Sequence, residues 1–352
     1  MIKVLGLSLY GPLAASNRYR LGQYVIGLRS FGIELEVQHL LGDDYLRARF
    51  SGGALPMIYM LKAGFNRFAD LCSQSGTDLI ILQGELLPLI PGWIERLLIR
   101  KSYIYDFDDA FYLKYRCGKM SILKPILGRK FESVIEGAAA VTAGNHLLTD
   151  YASSHNTRTH YLPTVVDIER YQASFANRGS EVFTVGWIGS PSTSVYLNEL
   201  IEPLSILGKE SSVRFIVIGC KAPKIPNVEV IEVEWQENSE VDLINSFDVG
   251  VMPLSNDEWA RGKCAFKLIQ YMACAVPVVA SPVGANVDVV NIECGLLASS
   301  HQDWLDSLRL LRDNPATRIE MGFAARERVS QHYSLHNNLP VLASVIHEVM
   351  CR

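Results

Sequence analysis

The stretch Phe247–Gly284, FDVGVMPLSNDEWARGKCAFKLIQYMACAVPVVASPVG, decides the architecture. Its apolar run Asp248–Leu254 reads as a buried strand and Ser255–Gly262 as a polar loop. Lys263–Ala275 follows with helical periodicity, and Val276–Ser281 as a second buried strand. Strand, helix and strand in that order form a right-handed unit of a parallel sheet. In such a sheet the loop after a strand lies at the carboxyl edge, where ligands bind. This loop holds Asp257, Glu258 and Arg261, and it leads to Lys263, Lys267 and Gln270 at i, i+4 and i+7, on one face of the predicted helix. Phe266, Ile269, Met272 and Ala273 form the apolar face. A helix N-terminus carries partial positive charge and unpaired N–H groups, so two lysines beside it suit a phosphate-bearing ligand. The lysines alone describe a solvated face equally well. The whole pattern, with PVVASPVG after it, favours the ligand.

Working outward, strand-like and helical segments alternate. Strands are expected at Lys3–Leu9, Leu35–Leu40, Asp78–Leu82, Tyr103–Phe107, Ala139–Ala143 and His160–Pro163, with helices such as Arg20–Phe31, Pro56–Cys72 and Pro91–Lys101 between them. Ala173–Ser180 is small and polar, as a linker is. The pattern restarts with Phe183–Ile188, Val213–Ile218, Val228–Val233, Val249–Leu254 and Pro277–Ala280. Pro315 suits the first turn of a helix in the mostly helical C-terminal region. The reading is α/β: two Rossmann-like, doubly wound domains, at 1–170 and 181–330, then a C-terminal helix at 331–352.

The 352 residues fit two domains. With 49% hydrophobic and 20% charged residues the chain is that of a folded globular protein, and a net charge of -4 gives no general attraction to nucleic acid. Seven cysteines without CxxC spacing suit free thiols in a reducing compartment. The N-terminal MIKVLGLSLYG reads as a strand and not a leader. The apolar region Leu79–Ile99 is broken by Gln83, Glu85, Pro88, Pro91 and Glu95, so no span is expected and the expected location is the cytoplasm.

The Phe247–Gly284 stretch resembles the donor-sugar site of glycosyltransferase family 4, retaining enzymes of the GT-B fold that use nucleotide-sugars. The resemblance is strongest over Phe183–Ser334. It implies two domains facing across a cleft, an acceptor-binding first domain, a donor-binding second one and a final helix crossing back to the first domain. It implies no metal and no cofactor, since positive residues do the work of a metal. Fixed positive charge then stabilises the departing diphosphate, with Lys267 and Lys263 in that role. Two departures stand out. Family members carry glutamates eight positions apart, where this chain has Gly262 and Gln270; Gln270 can still bond a ribose hydroxyl, and Asp257 or Glu258 is a candidate for the sugar, against a solvated loop. The family's arginine and lysine of the first loop in the second domain fall at Ser190 and Val195. There Gly189, Ser190 and Thr193, in GWIGSPSTSVYL, offer backbone N–H groups and hydroxyls to phosphate or simply cap the next helix. Arg261, Lys263 and Lys267 are expected to supply the missing charge, and the pattern reads as a subgroup with GKCAFK in place of the glutamate-first signature.

In the first half, YGPLAASNRYR places Gly11, Arg18 and Arg20 after the first strand. They are candidates for phosphate or acceptor binding, with a surface helix start as the alternative. YIYDFDDAF places Asp106, Asp108 and Asp109 at a strand end. Asp108 is a candidate acceptor contact, and Asp109 could orient the acceptor hydroxyl, serve as base or cap a helix. In the front-face mechanism of a retaining family the leaving phosphate takes the proton, so no dedicated base is required. Asn145 reads as a helix cap, and His146 as structural. Residues 110–130 carry Lys114, Arg116, Lys119, Lys124, Arg129 and Lys130 among apolar residues, either a solvated basic helix or a contact with an anionic membrane serving a lipid-linked acceptor.

The expected activity is transfer of a hexose from a nucleotide-sugar to an acceptor hydroxyl in glycan, surface-polysaccharide or glycolipid synthesis. A nucleotide-sugar epimerase or sugar phosphorylase of the same fold, and a non-catalytic glycosyltransferase-like subunit, stay open. The absence of GxGxxG after any strand argues against an NAD oxidoreductase.

Overall fold

Two six-stranded sheets, each parallel throughout, organise the chain in a computed structural model that describes residues 1–53, 56–72, 76–174 and 182–352. The chain divides into two units: Met1–Thr164 with Gly262–Cys264 and Leu335–Arg352, and Val165–Arg261 with Ala265–Ser334. The expected linker Ala173–Ser180 lies outside the described residues from 175 onward. The change of unit comes at Val165, because Val166 donates its N–H to the Tyr333 carbonyl and bridges to Ser334, both in the second unit. The helix Leu335–Met350 belongs to the first unit.

In the first unit β1 (Ile2–Tyr10), β2 (Ile33–Leu41), β3 (Leu79–Gln83), β4 (Tyr103–Phe107), β5 (Ala140–Ala143) and β6 (Thr159–Tyr161) lie in the order β2-β1-β3-β4-β5-β6. In the second, β7 (Phe183–Ile188), β8 (Val213–Ile218), β9 (Glu229–Val233), β10 (Val249–Met252), β11 (Val278–Ala280) and β12 (Gly295–Leu297) lie in the order β12-β11-β10-β7-β8-β9. Strand order reverses between β1 and β3 and between β7 and β10. In open parallel sheets such a reversal is where loops diverge and ligands bind. β12 escaped prediction because three residues, GLL, carry no alternation.

The continuous Val/Ile/Leu character of the central strands follows from burial on both faces. Two strand glycines break that run for steric reasons. A Cβ on Gly186 would lie 2.1 Å from the Phe247 ring, and one on Gly250 would lie 2.3 Å from the Tyr271 ring. Tyr271 is fully buried and its hydroxyl accepts from the Ile188 N–H at 2.9 Å, so one side chain holds β7, β10 and the helix Phe266–Ala273 together. Gly250→Ala is therefore expected to cost about 3 kcal/mol by overpacking. Thermal unfolding checks this, and a melting point within a degree of the parent would contradict the packing account.

Candidate functional site

In the second unit the carboxyl ends of β7, β8 and β10 lie side by side at the strand-order reversal. Gly189 follows β7, and its N–H donates to the Ile188-adjacent strand through the Ile218 carbonyl. A Cβ on Gly189 would meet the Trp187 ring at 2.4 Å and Lys267 Cε at 2.8 Å. Gly219 follows β8 with φ 91°, and a Cβ there would meet the Gly189 carbonyl at 2.5 Å. Backbone without side chains thus gathers at this edge, with the Lys267 ammonium 5.5 Å from the centre of the Trp187 ring. Burial and the Glu232 carboxylate push the nearby Cys220 thiol up to about 11, against the pull of the Lys267 charge. Ser190 opens the ten-residue 3-10 helix Pro191–Leu200; its carbonyl accepts from both the N–H and the hydroxyl of Thr193, and its own hydroxyl bonds that of Ser192 at 2.8 Å.

The loop after β10 differs from its prediction. Glu258–Arg261 is a short helical turn, with the Asp257 carboxylate accepting from the Ala260 N–H at 2.8 Å and from the Ser255 hydroxyl. Asp257 thus works as an N-cap. Glu258 is exposed beside it, and Arg261 bonds the Asn256 side chain at 2.7 Å. The main helix starts at Phe266, three residues later than expected, because Ala265 takes the left-handed conformation, φ 53°. Lys263 is consequently not on that helix and shares no face with Lys267. Gln270 is buried, and its amide donates to the Tyr171 hydroxyl at 2.8 Å; that hydroxyl donates to Glu240, which also accepts from Trp235. The side chain expected at a ribose is committed to this internal chain of bonds.

The first unit gathers a second group at the ends of β3, β4 and β5. Arg20 is corrected from ligand contact to core. It is 1% exposed, forks onto both oxygens of Asp106 and donates to the Leu162 carbonyl at 2.6 Å. Thr142 completes the Asp106 shell at 2.6 Å. Gly11 also changes role: the group that comes close is the Asp43 carboxylate, which would lie 2.6 Å from a Cβ there and which accepts from the Leu13 N–H. Arg18 donates to the carbonyls of Pro12 and Leu13 and so braces the same loop.

Asp108 and Asp109 flank Lys263 and Cys264. The Lys263 ammonium stands 3.7 Å from Asp109, whose other oxygen accepts from the Ala110 N–H, and the Cys264 thiol donates to the Asp108 carbonyl at 3.1 Å. Asn145, the cap of helix His146–Ser153, also donates to the carbonyls of Gly262 and Lys263. His146 stacks on Tyr161 at 4.5 Å. Position 262 has no room for a side chain, since a Cβ would meet Ala110 at 2.5 Å. Sequence reasoning found Asn145 as a cap but not its grip on 262–263, a contact between residues more than a hundred positions apart.

Burial pushes the Asp108 carboxyl up to about 7; the Arg20 charge opposes this, and the Asp106 and Asp109 carboxylates add to it. The unfolded chain loses that proton near 3.8. Between about 4 and about 7 the folded state therefore binds more protons, and its stability falls as pH rises. Asp108→Asn should remove that fall. Urea midpoints at pH 5 and pH 8 test it: the variant's advantage must grow with pH, and an advantage equal at both values would refute the placement. Glu95, which burial also raises to about 7, is common to both proteins and cancels.

Residues 110–130 are less basic at the surface than in sequence. Lys130 is buried between Glu85 and Glu95, 2.9 Å from each, Lys114 pairs with Glu85 and Arg116 with Glu132. Lys119, Lys124 and Arg129 remain exposed.

Comparison with known proteins agrees with this architecture. Residues 182–314 match the family model described as glycosyl transferases group 1. A D-inositol 3-phosphate glycosyltransferase of Pseudarthrobacter chlorophenolicus is 37% identical over 84 residues, a match that spans 23% of this chain and 19% of that relative. Sucrose-phosphate synthase from Thermosynechococcus elongatus superposes with a TM-score of 0.73 over 100% of both chains at 13% identity. The Anabaena protein HepE, solved with UDP-glucose, superposes with a TM-score of 0.69 over 99% of this chain and 100% of its own, at 15% identity. The fold is that of the GT-B glycosyltransferases, and the match to the glycosyl transferases group 1 model lies on the second unit, around β7–β12.

Proposed function

We propose that this chain is a glycosyltransferase resembling family 4, moving a hexose with retention from a nucleoside-diphosphate sugar to an acceptor hydroxyl. The observation that carries the reading is Lys267 against Gly189 at the strand-order reversal of the second sheet. A diphosphate lying over backbone that lacks side chains can receive N–H groups and one ammonium together. As the glycosidic bond breaks, negative charge grows on that diphosphate, and a cation already in place stabilises it without reorganisation. In this reading Ser190 and Thr193 add hydroxyls, Asp257, Glu258 and Arg261 border the sugar, and no metal takes part. The first unit receives the acceptor beside Asp108 and Asp109. Asp109 is held by Lys263, so it serves to position a hydroxyl and the leaving phosphate takes the proton. UDP on the related HepE makes a uridine nucleotide the first donor to try. The product belongs to a surface polysaccharide or glycolipid made at the cytoplasmic face of a membrane, with residues 110–130 in peripheral contact.

The blocked position 262 favours one second reading, a non-catalytic glycosyltransferase-like subunit. Binding without any transfer or hydrolysis would support it.

The donor is identified by a thermal-shift screen against UDP-, GDP-, ADP- and TDP-sugars, since a ligand of the native state raises its melting temperature. Lys267→Ala should weaken binding of the selected donor about tenfold to a hundredfold, the value of a hydrogen bond to a charged group, and should cut turnover at least as much. Unchanged affinity and turnover would remove Lys267 from the site.

A further inference from the structure

The helix Met57–Cys72 has two apolar faces. One packs inward, with Tyr59, Met60 and Ala63 against Leu9, Leu40 and Leu41. The other carries Ile58, Leu61, Phe65 and Phe68 at i, i+3, i+7 and i+10, which are 75%, 66%, 72% and 46% exposed. Helical geometry puts those four on one stripe. Scattered exposed apolar residues are ordinary, but a contiguous stripe that includes two phenylalanines marks an interaction surface.

The stripe has neighbours of the same character. The segment Leu87–Leu89 lies against the helix at Gly64, where a Cβ would sit 4.0 Å from the Leu87 side chain. Leu87 also donates to Glu95 on the helix Gly92–Leu98 and accepts from Lys130, and the Leu89 N–H donates to Tyr115. The helix Gly92–Leu98, tied to this segment through Glu95, exposes Trp93 and Leu97, and Leu89 is exposed on the segment itself.

Charge identifies the occupant. Among the described residues between Phe50 and Gly128, Lys62, Arg96, Arg100, Lys119 and Lys124 are exposed, and the exposed carboxylates are Asp70 and Asp78. Glu85 and Glu95, which would otherwise balance the cations, are buried on Lys130. Apolar side chains with lysine and arginine around them fit the boundary between anionic headgroups and acyl chains. No helix among the described residues is long and apolar enough to cross a membrane, so the contact is one that lies on the surface.

We propose that the Ile58–Phe68 stripe is the membrane-insertion face of the first unit, seated on an anionic bilayer, with Leu97 as a secondary contact. The docking stands on this surface alone. Its consequence, an acceptor carried on a lipid, rests on the transferase reading above. Compared with residues 110–130, whose cations are largely paired internally, the stripe supplies the apolar part of the contact.

The test is flotation of the full chain with vesicles of phosphatidylglycerol and phosphatidylcholine at low salt. The parent protein is expected to float with them, and less so with phosphatidylcholine alone. Leu61→Ser/Phe65→Ser should lower the partition coefficient about tenfold or more, given the apolar area withdrawn from the bilayer. Both side chains are exposed, so the melting temperature should hold, and so should the thermal shift with the donor nucleotide measured without vesicles. A control, Ile26→Ser, removes an equally exposed residue and should float like the parent. The proposal is overturned if the parent stays in the soluble fraction. It is also overturned if the double variant floats like the parent, or if size-exclusion shows a dimer that the double variant abolishes while vesicles bind neither. A lost nucleotide shift in the parent, with flotation intact, would instead count against the transferase reading.

Discussion

A phenol ring can sit flat on a strand only where the strand has no side chain, and Gly250 provides that place for Tyr271. The ring fills the hollow over β10 while its hydroxyl holds the last residue of β7. Because Tyr271 lies one turn beyond Lys267 on the same helix, this seat also sets where Lys267 stands relative to Gly189. The carboxyl edge of the second sheet, the strand-order reversal and the cation beside it are therefore one packing problem. Its solution needs glycine at 186, 189 and 250, each facing an aromatic ring or the lysine stem within 3 Å of a hypothetical Cβ.

The parallel sheets were legible because strands buried on both faces are written as short, mostly apolar runs rich in β-branched and aromatic residues. Tyr103–Phe107, Phe183–Ile188 and Val213–Ile218 fall where the runs do. Helix starts were less legible. The periodicity from Lys263 onward suggested a helix from that residue, but the left-handed Ala265 delays it, and no local signal marks an alanine for that conformation. Partners were not legible at all. Arg20 reads as a surface arginine until Asp106 and Leu162 are brought to it by β4 and by the segment after β6, from positions 86 and 142 residues away. Lys130 looked like part of a basic patch for the same reason. Its two carboxylates come from the segment after β3 and from the helix Gly92–Leu98.

That buried cluster shapes the surface around it. Burial opposes the Glu85 charge, yet Lys130 and Lys114 outweigh it and hold the carboxyl below its usual range; Glu95, more poorly compensated, is raised. Two carboxylates and a lysine inside hold the loop Leu87–Leu89 to the helix Gly92–Leu98 through its backbone N–H and carbonyl. Charges consumed there are unavailable outside. The exterior of the same region is left with cations and apolar side chains.

The two positions that depart from the pattern of the resembled family have internal explanations. At 262 the backbone rests on Ala110, and any side chain would push them apart. At 270 the reason is proton bookkeeping. The Tyr171 hydroxyl has one proton, and it goes to Glu240. What remains to Tyr171 is an acceptor, so its other partner must donate. Glutamine does so through its amide; an ionised glutamate would bring a lone pair to a lone pair and a second carboxylate to a buried site already holding one. Gln270 on the helix Phe266–Ala273 and Glu240 on the helix Glu240–Asn245 thus form a matched pair, amide and carboxylate, across the Tyr171 hydroxyl. This arrangement preserves the seating of the helix that carries Lys267, so glycine at 262 and glutamine at 270 leave the packing of Lys267 against Gly189 intact.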